Sequence, residues 1–126
     1  MKFDHIGISV SNLNKSLDFY KSNFGFQEVV RFTKKEWDGE AVKLKLGKME
    51  LELFCFNNAK SKKGDYSDLE TIGIKHIAFL VEDIDKIYRE LKNKGLDIDE
   101  PKIGTTVKKF CFLRDPDKIS IELIER

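Results

Sequence analysis

Lys75–Val81, KHIAFLV, repeats the pattern set out at the start of the chain by Asp4–Val10, DHIGISV. Both stretches are short, apolar and strand-like, and each carries one of the two histidines, His5 and His76, at the same place. A helix start follows each at once. Further along each half comes a second strand with a central glutamate, Met49–Phe54 (MELELF) and Ile119–Ile124 (ISIELI). His5 and His76 are 71 residues apart, and Glu52 and Glu122 are 70 apart. A common period in two residue types is the mark of an internal duplication, and it implies one site built twice over.

Length and composition set the frame. A chain of 126 residues holds one domain with a real core and is too short for two independent ones. With 40% apolar and 36% charged residues it has the composition of an ordinary globular protein. A net charge of +1 provides no field for nucleic acid or a membrane surface, and neither is expected as a partner. No apolar run approaches the roughly 18 residues of a bilayer span. The opening MKFDHIG passes straight into a strand without a signal-peptide core. Cys55 and Cys111 sit inside strands without metal-type spacing, so both are expected as buried free thiols of a cytoplasmic protein.

The two halves follow one plan. After Asp4–Val10, Ser11-Asn12 offers helix-capping groups, and Leu13, Leu17, Tyr20 and Phe24 recur at helical spacing up to Gly25. Phe26–Lys35 is β-rich, and Asp38-Gly39 is a hairpin signal. Val42, Leu44 and Leu46 then alternate with lysines, and Gly47-Lys48 turns the chain into Met49–Phe56. In the second half Asp83 caps a helix with the stripe Ile84, Ile87, Tyr88 and Leu91, ending at Gly95. A strand is expected near Leu96–Ile103, broken by Pro101, and Val107–Leu113 pairs with Ile119–Ile124 across Asp115-Pro116-Asp117. The expectation is an α+β fold: a single domain over 1–126, with βαβββ modules 1–57 and 73–126 joined by a polar linker, 58–72. Neither module closes a core alone, so the two should form one pseudo-symmetric sheet system.

Strand parity sorts the side chains. Ile6, Ile8 and Val10 oppose His5, Gly7 and Ser9; Leu51 and Leu53 oppose Glu50, Glu52 and Phe54. Ile77, Phe79 and Val81 oppose His76 and Ala78, and Ile121 and Leu123 oppose Glu122. With the apolar faces covered by helices, two histidines and two glutamates remain on the other, concave face. Carboxylates among apolar neighbours are costly unless paired or bound to a cation. Two imidazoles and two carboxylates make a mixed N/O donor set for a divalent first-row metal. Glu50 shares the face of Glu52 and is an alternative ligand. The donor types leave nickel, zinc, cobalt and manganese all open.

On these residues the chain resembles the glyoxalase/bleomycin-resistance family, the vicinal oxygen chelate fold. The resemblance rests on DHIGISVSNLNKSLDFYKSNFGF, LELF, GIKHIAFLVEDIDKIYRELKNKG and RDPDKISIELIE, almost the whole chain. It implies that the two βαβββ modules form a curved sheet cup. Carried over from metal-dependent glyoxalase I, the metal ligands fall on His5, Glu52, His76 and Glu122, with Glu122 and Glu52 also catalytic. The chemistry implied is that of a lactoylglutathione lyase-like isomerase or lyase, in which the metal holds substrate oxygens and stabilises an enediolate while Glu122 moves a proton. It further implies a homodimer, with the metal site built within one chain or across two.

Three departures qualify this. Ser9 stands where an arginine usually serves the glutathione carboxylate, and Phe56 stands near the usual asparagine, so glutathione recognition is not expected at full strength. Lys118 replaces the glycine after Asp-Pro-Asp, so that hairpin is expected to take another shape. Phe54, Phe56 and Trp37 point to an apolar cup, with Arg31 or Lys35 as anion anchors. The alternatives are another metalloenzyme of the fold (a thioester epimerase, an antibiotic thiol transferase or a dioxygenase) and a metal-free drug-binding protein of the bleomycin-resistance kind. Glu52 favours the glyoxalase reading, because the epimerases often carry glutamine there and the transferases and dioxygenases use three ligands.

Overall fold

The computed structural model describes residues 1–60 and 68–126. Residues 61–67, the middle of the expected linker, lie outside the described residues, and the chain divides there into two compact units. The first unit runs β1 (His5–Ser9), α1 (Leu13–Phe24), β2 (Gln27–Phe32), β3 (Gly39–Leu46) and β4 (Met49–Phe56). Its sheet has the order β1-β4-β3-β2, with β1 parallel to β4 and the other pairs antiparallel. The second unit runs β5 (Ile77–Leu80), α2 (Ile84–Asn93), β6 (Lys102–Ile103), β7 (Lys109–Arg114) and β8 (Ser120–Glu125). Its sheet has the order β5-β8-β7-β6, again with the first and last strands parallel. The fold is α+β, and the two units share one element order. That order matters for function because it lays β1, which carries His5, and β5, which follows His76, each beside its unit's glutamate-bearing strand.

Local chemistry accounts for the helices. Asn12 is the α1 N-cap, its side chain accepting from Lys15 N at 3.0 Å, and Gly25 ends the helix at φ 77°, where a side chain would be strained. Asp83 caps α2 in the same way through Lys86 N, at 2.9 Å. A second group serves this helix: the buried Glu125 carboxylate accepts from Ile84 N at 2.9 Å and pairs with Lys108. It thereby satisfies one of the donors that a helix start leaves open. In the first unit Leu13, Leu17 and Tyr20 of α1 are buried on the side of Val42, Leu44, Leu51 and Leu53. In the second, Ile84 and Leu91 of α2 cover Leu113, Ile121 and Leu123. Each such side chain, once fully buried, contributes about 1.5–3 kcal/mol, so the helix-covered faces supply the stability and the opposite faces are left to polar chemistry.

The structure alters several expected details. The strand expected near Leu96–Ile103 shrinks to Lys102–Ile103 plus a single bridge between Ile98 and Leu113. Pro101, which has no N–H to give a ladder, stands between them. The tight turn expected at Asp38-Gly39 is instead a longer loop: β2 ends at Phe32, and Trp37 N bonds Lys34 O at 2.9 Å. Lys118 adopts φ 65°, the left-handed conformation natural to glycine, so the departure is in the residue and not in the backbone. Cys111 is buried while Cys55 is only half-buried, and both are free thiols. Burial first, then the charges of Asp99 and Glu122, pushes the Cys111 thiol up to about 11.

Candidate functional site

In the first unit the parallel pairing of β1 with β4 sets Gly7 opposite Glu52 and His5 opposite Glu50. Paired residues share a face, so the expected parity holds there. His5 reaches Glu52 with Nε2 at 3.5 Å from the carboxylate oxygen, while its Nδ1 hydrogen-bonds the Asp4 carboxylate at 2.7 Å. The hydrogen bond and charge of His5 hold the Asp4 carboxyl below its ordinary range. With Nδ1 committed to Asp4, Nε2 is the nitrogen turned toward Glu52. Glu50, the alternative ligand, lies 3.5 Å from Lys43 Nζ.

An aromatic wall stands beside this pair on the same face. Trp37 packs against Phe54 and Phe56, with ring centroids 6.0 and 5.2 Å away, and against Phe32 at 6.0 Å. The Phe54 ring lies over Gly7, where an added Cβ would come within 3.1 Å of it. Lys34 Nζ sits 4.9 Å above the Trp37 ring. At the two positions where the family resemblance implies polar anchors, the chain thus presents an exposed Ser9 and the stacked Phe56.

The second unit repeats the arrangement with different support. His76 stands one residue before β5, and its Nε2 lies 3.1 Å from the Glu122 carboxylate. Lys75 occupies the place of Asp4, and its ammonium is bound by the carbonyls of Asp68, at 2.8 Å, and Thr71. His76 is steadied by packing instead, edge-on to Phe112 at 5.5 Å, and Phe112 is the cross-strand partner of Glu122. Phe110 extends the wall at 5.9 Å. Phe112 on β7 corresponds to Lys43 on β3, since each is the antiparallel partner of its unit's glutamate. The duplicated site is apolar at that place in one unit and cationic in the other.

The structure therefore brings the four expected residues together as two pairs, His5 with Glu52 and His76 with Glu122. Two donors bonded to one ion at roughly 2.1 Å stand about 3.0–3.4 Å apart in octahedral or tetrahedral geometry; the 3.1 Å of the second pair falls in that range and the 3.5 Å of the first lies just beyond it. Glu52 and Glu122 are mostly covered, with side chains 15% and 19% exposed, which favours a cation over bulk water as their partner. Neither pair is a complete site, and among the described residues no three His, Cys, Asp or Glu side chains are grouped to hold an ion.

The expected anion anchors fare differently. A bulge between Glu28 and Val30 shifts the register of β2, so Arg31 pairs with Val42 on the face opposite Glu52. There it is engaged by Glu28 at 3.2 Å and Glu40 at 3.7 Å. Lys35 is exposed in the β2–β3 loop. Lys43, one of the lysines alternating with Val42, Leu44 and Leu46, is the cation paired opposite Glu52 on the site face. No described helix is long and apolar enough to cross a membrane.

Comparison with known proteins agrees with this fold. The family model described as Glyoxalase/Bleomycin resistance protein/Dioxygenase superfamily matches residues 2–123. The protein YwkD of Bacillus subtilis (strain 168) is 33% identical over 124 residues, covering 97% of this chain and 94% of its own. A crystal structure of a glyoxalase family protein from Enterococcus faecalis superposes with a TM-score of 0.85 at 29% identity, covering 98% of this chain and 97% of that one. The trypanothione-dependent glyoxalase I of Leishmania major gives 0.78 at 26% identity, covering 99% of this chain and 86% of that one.

Proposed function

The chain belongs to the glyoxalase/bleomycin resistance protein/dioxygenase superfamily, and from that premise we propose that it is a divalent-metal-dependent isomerase or lyase of the glyoxalase I type. One observation carries the reading: a histidine and a mostly covered glutamate stand within 3.5 Å of each other twice, at equivalent places in the two units. His5, Glu52, His76 and Glu122 would hold the ion, and nickel, zinc, cobalt and manganese all suit these donors. The working unit is a homodimer.

A bound divalent metal supplies Lewis acidity, acidifying the C–H next to a carbonyl whose oxygen it polarises. The chain's own residues do the rest. His5 is aimed by Asp4, and His76 by Phe112. Glu122 accepts the proton leaving the carbon and returns it to the neighbouring carbon, so the reaction is an isomerisation with no net gain or loss of protons. Its Oε2 stands 3.1 Å from His76 Nε2, within reach of any group bound there. Glu52 is its counterpart in the other half. Phe112, the cross-strand partner of Glu122, and Phe110 beside it keep water from the exchanging proton. The substrate is a small 2-oxo aldehyde or its thiol adduct.

Turnover tests this. Protein reconstituted with nickel, cobalt, zinc or manganese is assayed on hemithioacetals of methylglyoxal formed with several thiols. Conversion that disappears in Glu122→Gln while metal content stays measurable supports the reading. A metal-loaded protein inert toward every hemithioacetal refutes it.

A further inference from the structure

Lys43 has no part in the metal chemistry above, yet it stands in the middle of the site face. It is the cross-strand partner of Glu52, and its neighbours on that face of β3 are Ala41, opposite Phe54, and Lys45, opposite Glu50. Adjacent strands lie about 4.8 Å apart, so a lysine side chain beside Glu52 reaches a molecule bound at Glu52 and His5. One contact locates the charge: the ammonium lies 3.5 Å from Glu50. It is thus turned away from the aromatic wall. Along β4 the order is Glu50 with the cation, then Glu52 with His5, then Phe54 and Phe56 under Trp37.

We propose that Lys43 is the specificity-determining residue of this site, binding a carboxylate on the substrate. The substrate then reaches from Lys43 across the ligand pair, with an apolar or aromatic portion on Phe54 and Trp37. This rests on the metal-site reading above and narrows its substrate class to small carboxylates with a reactive carbonyl. The existing contact with Glu50 does not occupy the lysine fully. At 3.5 Å it is longer than the 2.7–2.9 Å or so of a charge-assisted hydrogen bond, and Lys43 keeps a 26% exposed side chain. A ligand carboxylate approaching from solvent replaces a loose pair with a close one. The corresponding place in the second unit is Phe112, so the cation is specific to one half of the duplicated site and does not follow from the fold.

Two hydroxamates that chelate the metal identically make the test: succinic acid monohydroxamate, which carries a remote carboxylate, and its neutral succinamide analogue. Their affinities for the cobalt-loaded full chain are measured by titration for wild type, Lys43→Met, Lys43→Arg and Glu50→Gln. The wild type is expected to prefer the acid by about tenfold, as one partly exposed charge-assisted bond allows. Lys43→Met removes the preference, Lys43→Arg keeps it, and Glu50→Gln, which frees the lysine, increases it. A ratio near one in the wild type, or a preference unchanged in Lys43→Met, overturns the proposal while leaving the metal site standing. Equal weakening of both compounds in Lys43→Met shows a purely structural lysine and also overturns it. Binding of neither compound by the wild type refutes the metal reading, and this proposal with it.

Discussion

Replacing Asp4 with alanine isolates the part of the site that the structure describes most sharply. Asp4 touches no metal in the proposed arrangement. It accepts the Nδ1–H of His5 at 2.7 Å and thereby turns the Nε2 lone pair toward Glu52, 3.5 Å away. Partners of this kind set both the tautomer and the ring angle of a ligand, and their loss typically costs 10–100-fold in metal affinity. The Asp4 side chain is 82% exposed, so water takes over part of its role, and the low end of that range, about tenfold, is expected. Competition for cobalt against a chromophoric chelator measures the change, with circular dichroism to show that the fold is retained. Phe112→Ala, which removes the packing on His76, should weaken the metal similarly through the other half. An Asp4→Ala protein within about twofold of wild type would refute orientation by hydrogen bond, since the range for such partners starts well above that.

Other expectations follow from single contacts. Lys118→Gly relieves a left-handed lysine worth about 1 kcal/mol and loses only an exposed pair with Asp97 at 3.0 Å. Urea unfolding should show a net gain of about 0.5–1 kcal/mol, and a loss would contradict the strain argument. Glu125 is held below its ordinary 4.5 first by the Ile84 N–H and then by Lys108. Its contribution to stability is therefore complete above pH 4.5 and fades as pH falls through the lower folded value. Glu125→Gln should lower the thermal midpoint at pH 7 and converge on wild type in acid, whereas a pH-independent difference would exclude the linkage. Mixing His5→Ala with His76→Ala chains should partly restore activity if the homodimer builds its sites across two chains. No recovery would place each site within one chain.

Much of the fold was legible because its signals were local and doubled. Asn12, Asp83, Gly25 and Gly95 mark helix ends by chemistry that needs no neighbours. Strand parity around Glu52 and Glu122 fixed their faces, because β1, β4 and β8 run without bulges. What was not legible depended on contacts distant in sequence. The bulge in β2 moved Arg31 to the other face, and nothing in FQEVVRF announces it. Trp37 draws its loop onto Phe32, Phe54 and Phe56, which overrides the turn preference of Asp38-Gly39. Lys43 looked like any outward strand lysine until the register set it opposite Glu52. Glu125 carried no local signal of its role, and only the packing of α2 on β8 shows it as a helix cap.

The central claim is a metal held by two histidine–glutamate pairs, and the most direct test is metal stoichiometry. Protein saturated with nickel or zinc and freed of excess by gel filtration is analysed for metal and for chain concentration. The account predicts one ion per chain in the wild type, a sharp loss in His76→Ala, almost none in the His5→Ala, His76→Ala double variant, and little change in Glu50→Gln. A double variant that keeps its full metal content would contradict it.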